Sequence, residues 1–203
     1  MRGAYRVIAY HLILSAYGFW LPNDPRGSWS DFVRSWELLR YGRATKVNHG
    51  RSVARVPHDR RARLEAKRAL RYQPVRFTGE QAWCVAKGFE DYARRSGLII
   101  HACAVLPDHA HLVVARHTCA VEQVARLLKQ SAAVQLQHAG LHPFARHRYA
   151  DRRHPSPWAR GEWKVFIVTD EHLRAAVRYV NDNPLKESLP RQHWSFVTPL
   201  DGS

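Results

Sequence analysis

Three cysteines, Cys84, Cys103 and Cys119, and one methionine are all the sulfur in 203 residues, and 17 acidic side chains face 32 lysines and arginines. Cysteines this sparse, with no CxxC pair, exclude a disulfide scaffold and read as small apolar residues in a reducing compartment. HExxH is absent, and no third His, Cys or acidic ligand sits at short spacing from a histidine pair, which argues against a zinc hydrolase. No apolar run approaches the roughly 18 residues of a membrane span. The first residues lack the charged, apolar, small-residue order of a secretory signal, so the cytoplasm is the expected location. There is no internal repeat and no low-complexity tract, and one domain over residues 1–203 is expected. The shortage of acid leaves a formal net charge of +15. An excess this large makes a polyanion the first partner to consider, because phosphate contacts release counterions and drive binding without regard to base sequence.

The hydrophobic pattern marks eight regular elements. Val7 to Ser15 (VIAYHLILS) is β-branched and aromatic and reads as a buried strand. Gly18, Pro22, Asn23, Pro25 and Gly27 then break the pattern. Residues 21–74 read as a polar, basic insertion with one helix over His58 to Tyr72. Thr78 caps a helix with the apolar stripe Ala82, Val85, Ala86, Phe89 and Ala93, stopped by Gly97. Leu98 to Leu106 and His109 to Arg116 are strands joined through Pro107-Asp108. Val121 to Ala139 is an amphipathic helix stopped by Gly140, Leu141 to Pro157 a basic loop, and Trp163 to Val168 a strand. Asp170 to Asn183 is a helix ended by Pro184. Without the insertion, the first six elements run βαββαβ. That order predicts an α+β, ferredoxin-like fold, an antiparallel four-stranded sheet with two helices on one face, followed by a C-terminal helix.

Two pairs of residues carry the chemistry. His109 and His111 are two apart in a strand, so both imidazoles leave the same face and can form a metal clamp. With 13 histidines in the chain, an HxH can also arise by chance. Tyr179 and Asn183 are neighbours, i and i+4, on the last helix. At 100° per residue they lie roughly 110° and 70° from the centre of the stripe Leu173, Ala176, Val177 and Val180. They therefore flank the core, where a reactive residue or an amphipathic rim residue would sit.

LPDHAHLVV (Leu106 to Val114), PWARGEWKVFI (Pro157 to Ile167) and RYVNDNPLKESL (Arg178 to Leu189) resemble the motifs of the HUH single-strand transposases. They are closest to the REP-associated tyrosine transposases with their Tyr-x-x-x-Asn-Pro pattern. The resemblance covers the first strand and about Thr78 to Leu189; WLPNDPRGSW in the insertion matches only loosely. The family often has a glycine soon after Asn-Pro, where this chain has Lys186-Glu187-Ser188. The resemblance implies that His109 and His111 are metal ligands, Asn183 a third ligand through its amide oxygen, and Tyr179 the nucleophile. It implies metal-dependent cleavage and joining of single-stranded or hairpin DNA, such as palindromic repeats, through a 5′-phosphotyrosine, by a monomer or homodimer.

That chemistry is coherent by itself. Tyrosine, with a reference pKa of about 10, needs help to attack at neutral pH. A divalent ion on two imidazoles and an amide oxygen, with open positions, suits Mg²⁺ or Mn²⁺. Candidate DNA contacts are Lys129, Arg146, Arg148, Arg152 and Arg153, with Trp158 or Trp163 stacking on bases; each also has a plainer reading as solvated charge or core. The alternatives are a non-catalytic or domesticated DNA-binding protein, and a nickase of the relaxase or replication-initiator kind.

Overall fold

Ala9–Ser15 (β1) carries apolar side chains on both faces, as a strand with neighbours on both sides and layers above and below requires. The computed structural model describes residues 6–48, 53 and 56–200; parts of the expected insertion and both ends of the expected domain lie outside these. The elements after β1 are α1 (Trp36–Leu39), α2 (Arg60–Arg68), α3 (Gly79–Ser96), β2 (Ile100–Val105), β3 (His109–Ala115), α4 (Val121–His138), β4 (Trp163–Ile167) and α5 (Asp170–Lys186). The sheet order is β2-β3-β1-β4, with every neighbouring pair antiparallel. This is the ferredoxin-like arrangement that the βαββαβ order predicts.

The two faces of the sheet differ in what covers them. Leu12 and Leu14 of β1, Ile100, Cys103 and Val105 of β2, and Ala110, Leu112 and Val114 of β3 face α3 and α4. Fully buried Leu12, Leu112, Phe89, Leu128 and Leu136 make this the main core, each contributing about 1.5–3 kcal/mol by leaving water. α3 begins at a capping box between Thr78 and Gln81, and Gly97 ends it in the left-handed conformation. Gly88 of α3 lies directly against the Ala132 backbone of α4: a Cβ on Gly88 would stand 2.3 Å from Ala132 Cα.

α5 covers the opposite face. Its Ala176, Val177 and Val180 sit on Ala9, Ala102, Ala104, Val113 and Ile167. Three of those five sheet residues are alanine, so the helix seats close to the strands. Thr169 caps α5 by accepting from the His172 amide. The helix does not end before Pro184 but runs through it to Lys186. Proline removes one amide donor, and the turn closes without it: the Leu189 amide donates to the Pro184 carbonyl at 2.9 Å and the Ser188 amide to Leu185 at 3.1 Å.

The insertion has its own small core of Leu21, Leu38 and Ala66, with Val33, Tyr41 and Leu70. Its helix α2 is shorter at both ends than the expected His58 to Tyr72, and α1 is an additional turn that the pattern did not reveal. Four residues are too few to leave a periodic signature.

Candidate active site

β3 starts directly after the Pro107-Asp108 turn, which is tied on three sides. The Leu106 amide donates to the His109 carbonyl (2.8 Å), the Ala16 amide to Asp108 (2.9 Å) and the Phe77 amide to Pro107 (2.6 Å). From this fixed start, strand alternation sends His109 and His111 to the α5 face, the face of Val113. In register, Ser15 stands opposite His109 and Ile13 opposite His111.

Each ring is oriented through its Nδ1. His109 Nδ1 lies 2.7 Å from Asp108 Oδ1, and Asp108 Oδ2 pairs with the Arg76 guanidinium at 3.3 Å. Burial alone would raise the Asp108 pKa; the His109 hydrogen bond, with Arg76 and Lys67 nearby, holds it below the usual carboxylate range. Phe19, just before the insertion, stacks on His109 at 4.6 Å and 9°, and the Lys67 ammonium of α2 lies 5.8 Å from the Phe19 ring centre. His111 is buried, 4% exposed, and its Nδ1 lies 2.9 Å from His11 Nε2. Burial first, then the neighbouring His109, His11 and Lys186, holds His111 well below its ordinary pKa. It is therefore neutral at pH 7.

The two remaining nitrogens, His109 Nε2 and His111 Nε2, face one another at 2.9 Å. With both Nδ1 atoms protonated, two lone pairs would point at each other, a repulsive arrangement that only a shared proton or a cation relieves. Two ligand atoms bound at about 2.1 Å and at a right angle stand about 3.0 Å apart, so the pair's spacing fits one ion. Among the described residues no group of three or more His, Cys, Asp or Glu is arranged to hold an ion. Asn183, the third ligand that the family resemblance implies, lies on α5. It is 7% exposed, and its amide nitrogen has no hydrogen-bond partner.

Tyr179 leans over the histidines from α5. Its ring meets His111 edge-on at 5.8 Å and His11 at 5.7 Å, and the Lys186 ammonium sits 4.1 Å from the ring centre. The side chain is 46% exposed, so a substrate can reach the phenol. His109, His111 and Tyr179 thus meet at one place, with Asn183 one helical turn beyond Tyr179.

The expected DNA contacts separate into three groups. Arg146, Arg148, Arg152 and Arg153 are exposed. Arg153 pairs with Asp151 and Arg148 donates to the Arg152 carbonyl, whereas the guanidinium groups of Arg146 and Arg152 have no partner among the described residues. Lys129 is turned inward, where its ammonium donates to the carbonyls of Ala159 and Gly161. Burial, partly offset by Glu162, lowers its pKa to about 8. Trp158 is corrected outright. It is 3% exposed and packed against Phe77 and Phe89, so neither ring face is open to a base. Trp163 stacks on Trp29 of the insertion at 3.5 Å.

His11 escaped the sequence reading altogether. The available signal was a histidine in an otherwise apolar first strand, but only the pairing of β1 with β3 turns that into a contact with His111.

The sequence matches the family described as Transposase IS200 like over residues 68–183. Among solved structures, a REP-associated tyrosine transposase bound to a REP hairpin is similar at 14% identity and a TM-score of 0.48, over 97% of this chain and 79% of that one. A candidate transposase from Deinococcus radiodurans R1 is similar at 17% identity and a TM-score of 0.42, over 90% of this chain and 95% of that one. Comparison with curated proteins yields no match. The family match spans more than half of the sequence and includes every residue from His109 to Asn183, and the chain therefore belongs to the IS200-like transposases.

Proposed function

We propose that this transposase cleaves and rejoins single-stranded or hairpin DNA, with Tyr179 as the nucleophile and with His109, His111 and Asn183 holding Mg²⁺ or Mn²⁺. The observation that carries the reading is the meeting of a paired-imidazole donor set with a half-exposed phenol 5.8 Å from His111 on one sheet face. A divalent ion bound there supplies neutralisation of the phosphate charge and of the leaving oxygen.

The chain's own groups do the rest. Asp108 and His11 hold the two rings so that both Nε2 atoms point to a common centre. α5 holds the Tyr179 ring beside His111, 5.8 Å centre to centre. Tyr179 Oη attacks the scissile phosphorus, the Oη–P bond forms and the P–O3′ bond breaks. The phenol proton passes to solvent, and the departing 3′ oxygen takes one up. The product is a 5′-phosphotyrosine and a free 3′-hydroxyl. The same or another 3′-hydroxyl reverses the step, so the bond energy is kept for joining. The Lys186 ammonium beside the ring favours an approaching phosphate.

Two features favour a strand or hairpin as substrate. The face with the histidines is a sheet beside one helix, and among the described residues no recognition helix is presented for a major groove. The 141–157 loop, which carries the exposed arginines, leads into Trp158, whose bridge to Ala16 lies next to the Ser15–His109 pair, and such arginines suit tracking a backbone.

The test offers one labelled sequence as hairpin, single strand and perfect duplex to chelator-treated protein, with and without Mn²⁺. Covalent adduct on hairpin or strand, dependent on Mn²⁺ and lost with His109→Ala, is the expected result. Equal adduct in excess chelator would refute the metal role, and equal cleavage of duplex would refute the substrate form.

A further inference from the structure

We infer that His11 is a positioning residue: by hydrogen bonding to His111 Nδ1 it fixes the tautomer and ring plane of His111, leaving His111 Nε2 free to bind a divalent cation. The inference rests on the metal reading above. It assigns a role to a residue outside the HxH pair and outside the tyrosine helix.

His11 cannot be a third ligand in this arrangement. Its Nε2 approaches Nδ1 of His111 at 2.9 Å, whereas His109 approaches the same ring at Nε2, also at 2.9 Å. The two contacts lie on opposite sides of the imidazole. His11 therefore stands behind His111 as Asp108 stands behind His109. An outer partner of this kind sets which nitrogen of a ligating histidine carries the proton, and so which keeps the lone pair.

The position is rigid. β1 is flanked by β3 and β4, and His11 stands opposite Val113 on one side and Val165 on the other. It is 9% exposed. Its reach to His111 is the diagonal contact between neighbouring strands.

The residue type also fits. Without a cation, His111 Nε2–H donates to His109, and His111 Nδ1 must accept from its outer partner. With a cation, His111 Nδ1–H must donate to that partner. Only a group that can both give and accept serves both states. A neutral imidazole does so by changing tautomer; a lysine cannot accept and an aliphatic residue can do neither. Glutamine offers both functions at similar reach.

The test measures Mn²⁺ binding to the full chain directly, following free Mn²⁺ by its electron paramagnetic resonance signal, so no turnover is needed. His11→Phe keeps a ring beside Tyr179 and removes the hydrogen bond. It is expected to weaken Mn²⁺ binding about 10–100-fold with an unchanged melting temperature, and His11→Gln to bind within a few-fold of wild type. His109→Ala is the control for the metal reading. If His109→Ala loses Mn²⁺ while His11→Phe binds as wild type, this inference is overturned and the metal pair stands. If His109→Ala binds as wild type, both are overturned. Should the Phe variant not fold, His11→Asn takes its place. Asparagine is polar but too short to reach His111, so equal affinities for Asn and Gln would overturn the inference.

Discussion

Replacing Tyr179 by phenylalanine tests the proposed nucleophile apart from everything else the residue does. The phenol oxygen makes no hydrogen bond among the described residues, so its removal strands no buried partner and carries none of the usual 1–3 kcal/mol penalty for that. The edge-on contacts with His11 and His111 and the Lys186 contact belong to the ring and survive the change. The expected stability change is therefore that of a half-exposed surface substitution, within about 0.5 kcal/mol, or a melting-temperature shift of at most about 2 °C for a chain of this size. DNA affinity should stay within about twofold. Removal of a nucleophile, by contrast, can cost on the order of 10⁶ in rate, which takes the adduct below detection. The assay is a denaturing gel of protein mixed with end-labelled hairpin and Mn²⁺, alongside a thermal melt of both proteins. Adduct at wild-type yield from the Phe variant would mean that another residue attacks. A melting temperature lower by 8 °C or more would mean that the hydroxyl is structural and that lost adduct says nothing about chemistry.

Gly88→Ala should destabilise by about 3 kcal/mol or more, because the new methyl meets the backbone of Ser131 and Ala132 and overpacking outweighs the gain of about 1 kcal/mol in helix propensity; a melt showing no loss would mean that α3 and α4 pack less closely. Arg146→Gln combined with Arg152→Asn, the latter tolerant of the positive φ of 64° at that position, should reduce the slope of log affinity against log salt by about 1.4 on single strands if each meets one phosphate. An unchanged slope would place the strand elsewhere. Burial, with His154 adjacent, pushes His142 down to about pH 4 from 6.5, and its Nδ1 accepts from the Phe144 amide. A lowered histidine contributes stability that is complete above about pH 6.5 and is lost as the pH falls toward 4, at most about 3 kcal/mol. Denaturation at pH 7 and pH 4.5 should show a smaller difference in His142→Gln, and equal differences would remove His142 from the account.

The sheet, its two covering helices and the face of the HxH pair were legible in the sequence because each rests on a local period: two for strands, 3.6 for helices. The parts that were not legible depend on contacts between distant segments. Nothing in HAHLVVA says which face α5 will cover, since Ala110, Leu112 and Val114 are as apolar as Val113. His11 acquires meaning only from the β1–β3 register. Lys129 and Trp158 looked like surface candidates by residue type, yet loop 159–161 folds over the first and the α3 core encloses the second. Pro184 reads as a stop because proline usually is one, but in the final turn of α5 the missing amide costs little and the downstream amides close the helix.

The order of the strands has a consequence for how the molecule is made. The two hydrogen-bonded imidazoles His11 and His111 are 100 residues apart in sequence, and the phenol comes later still. β1 therefore leaves the ribosome long before β3 and β4, the strands on either side of it, while the β2–β3 hairpin and the α3–α4 pair can form from nearby chain. Closing so long a loop is slow compared with hairpin formation. The reactive set is consequently assembled from the first strand, a middle strand and the last helix. A nascent or partly folded chain therefore does not bring His11, His111 and Tyr179 together, and the proposed strand cleavage would wait until the whole fold has closed.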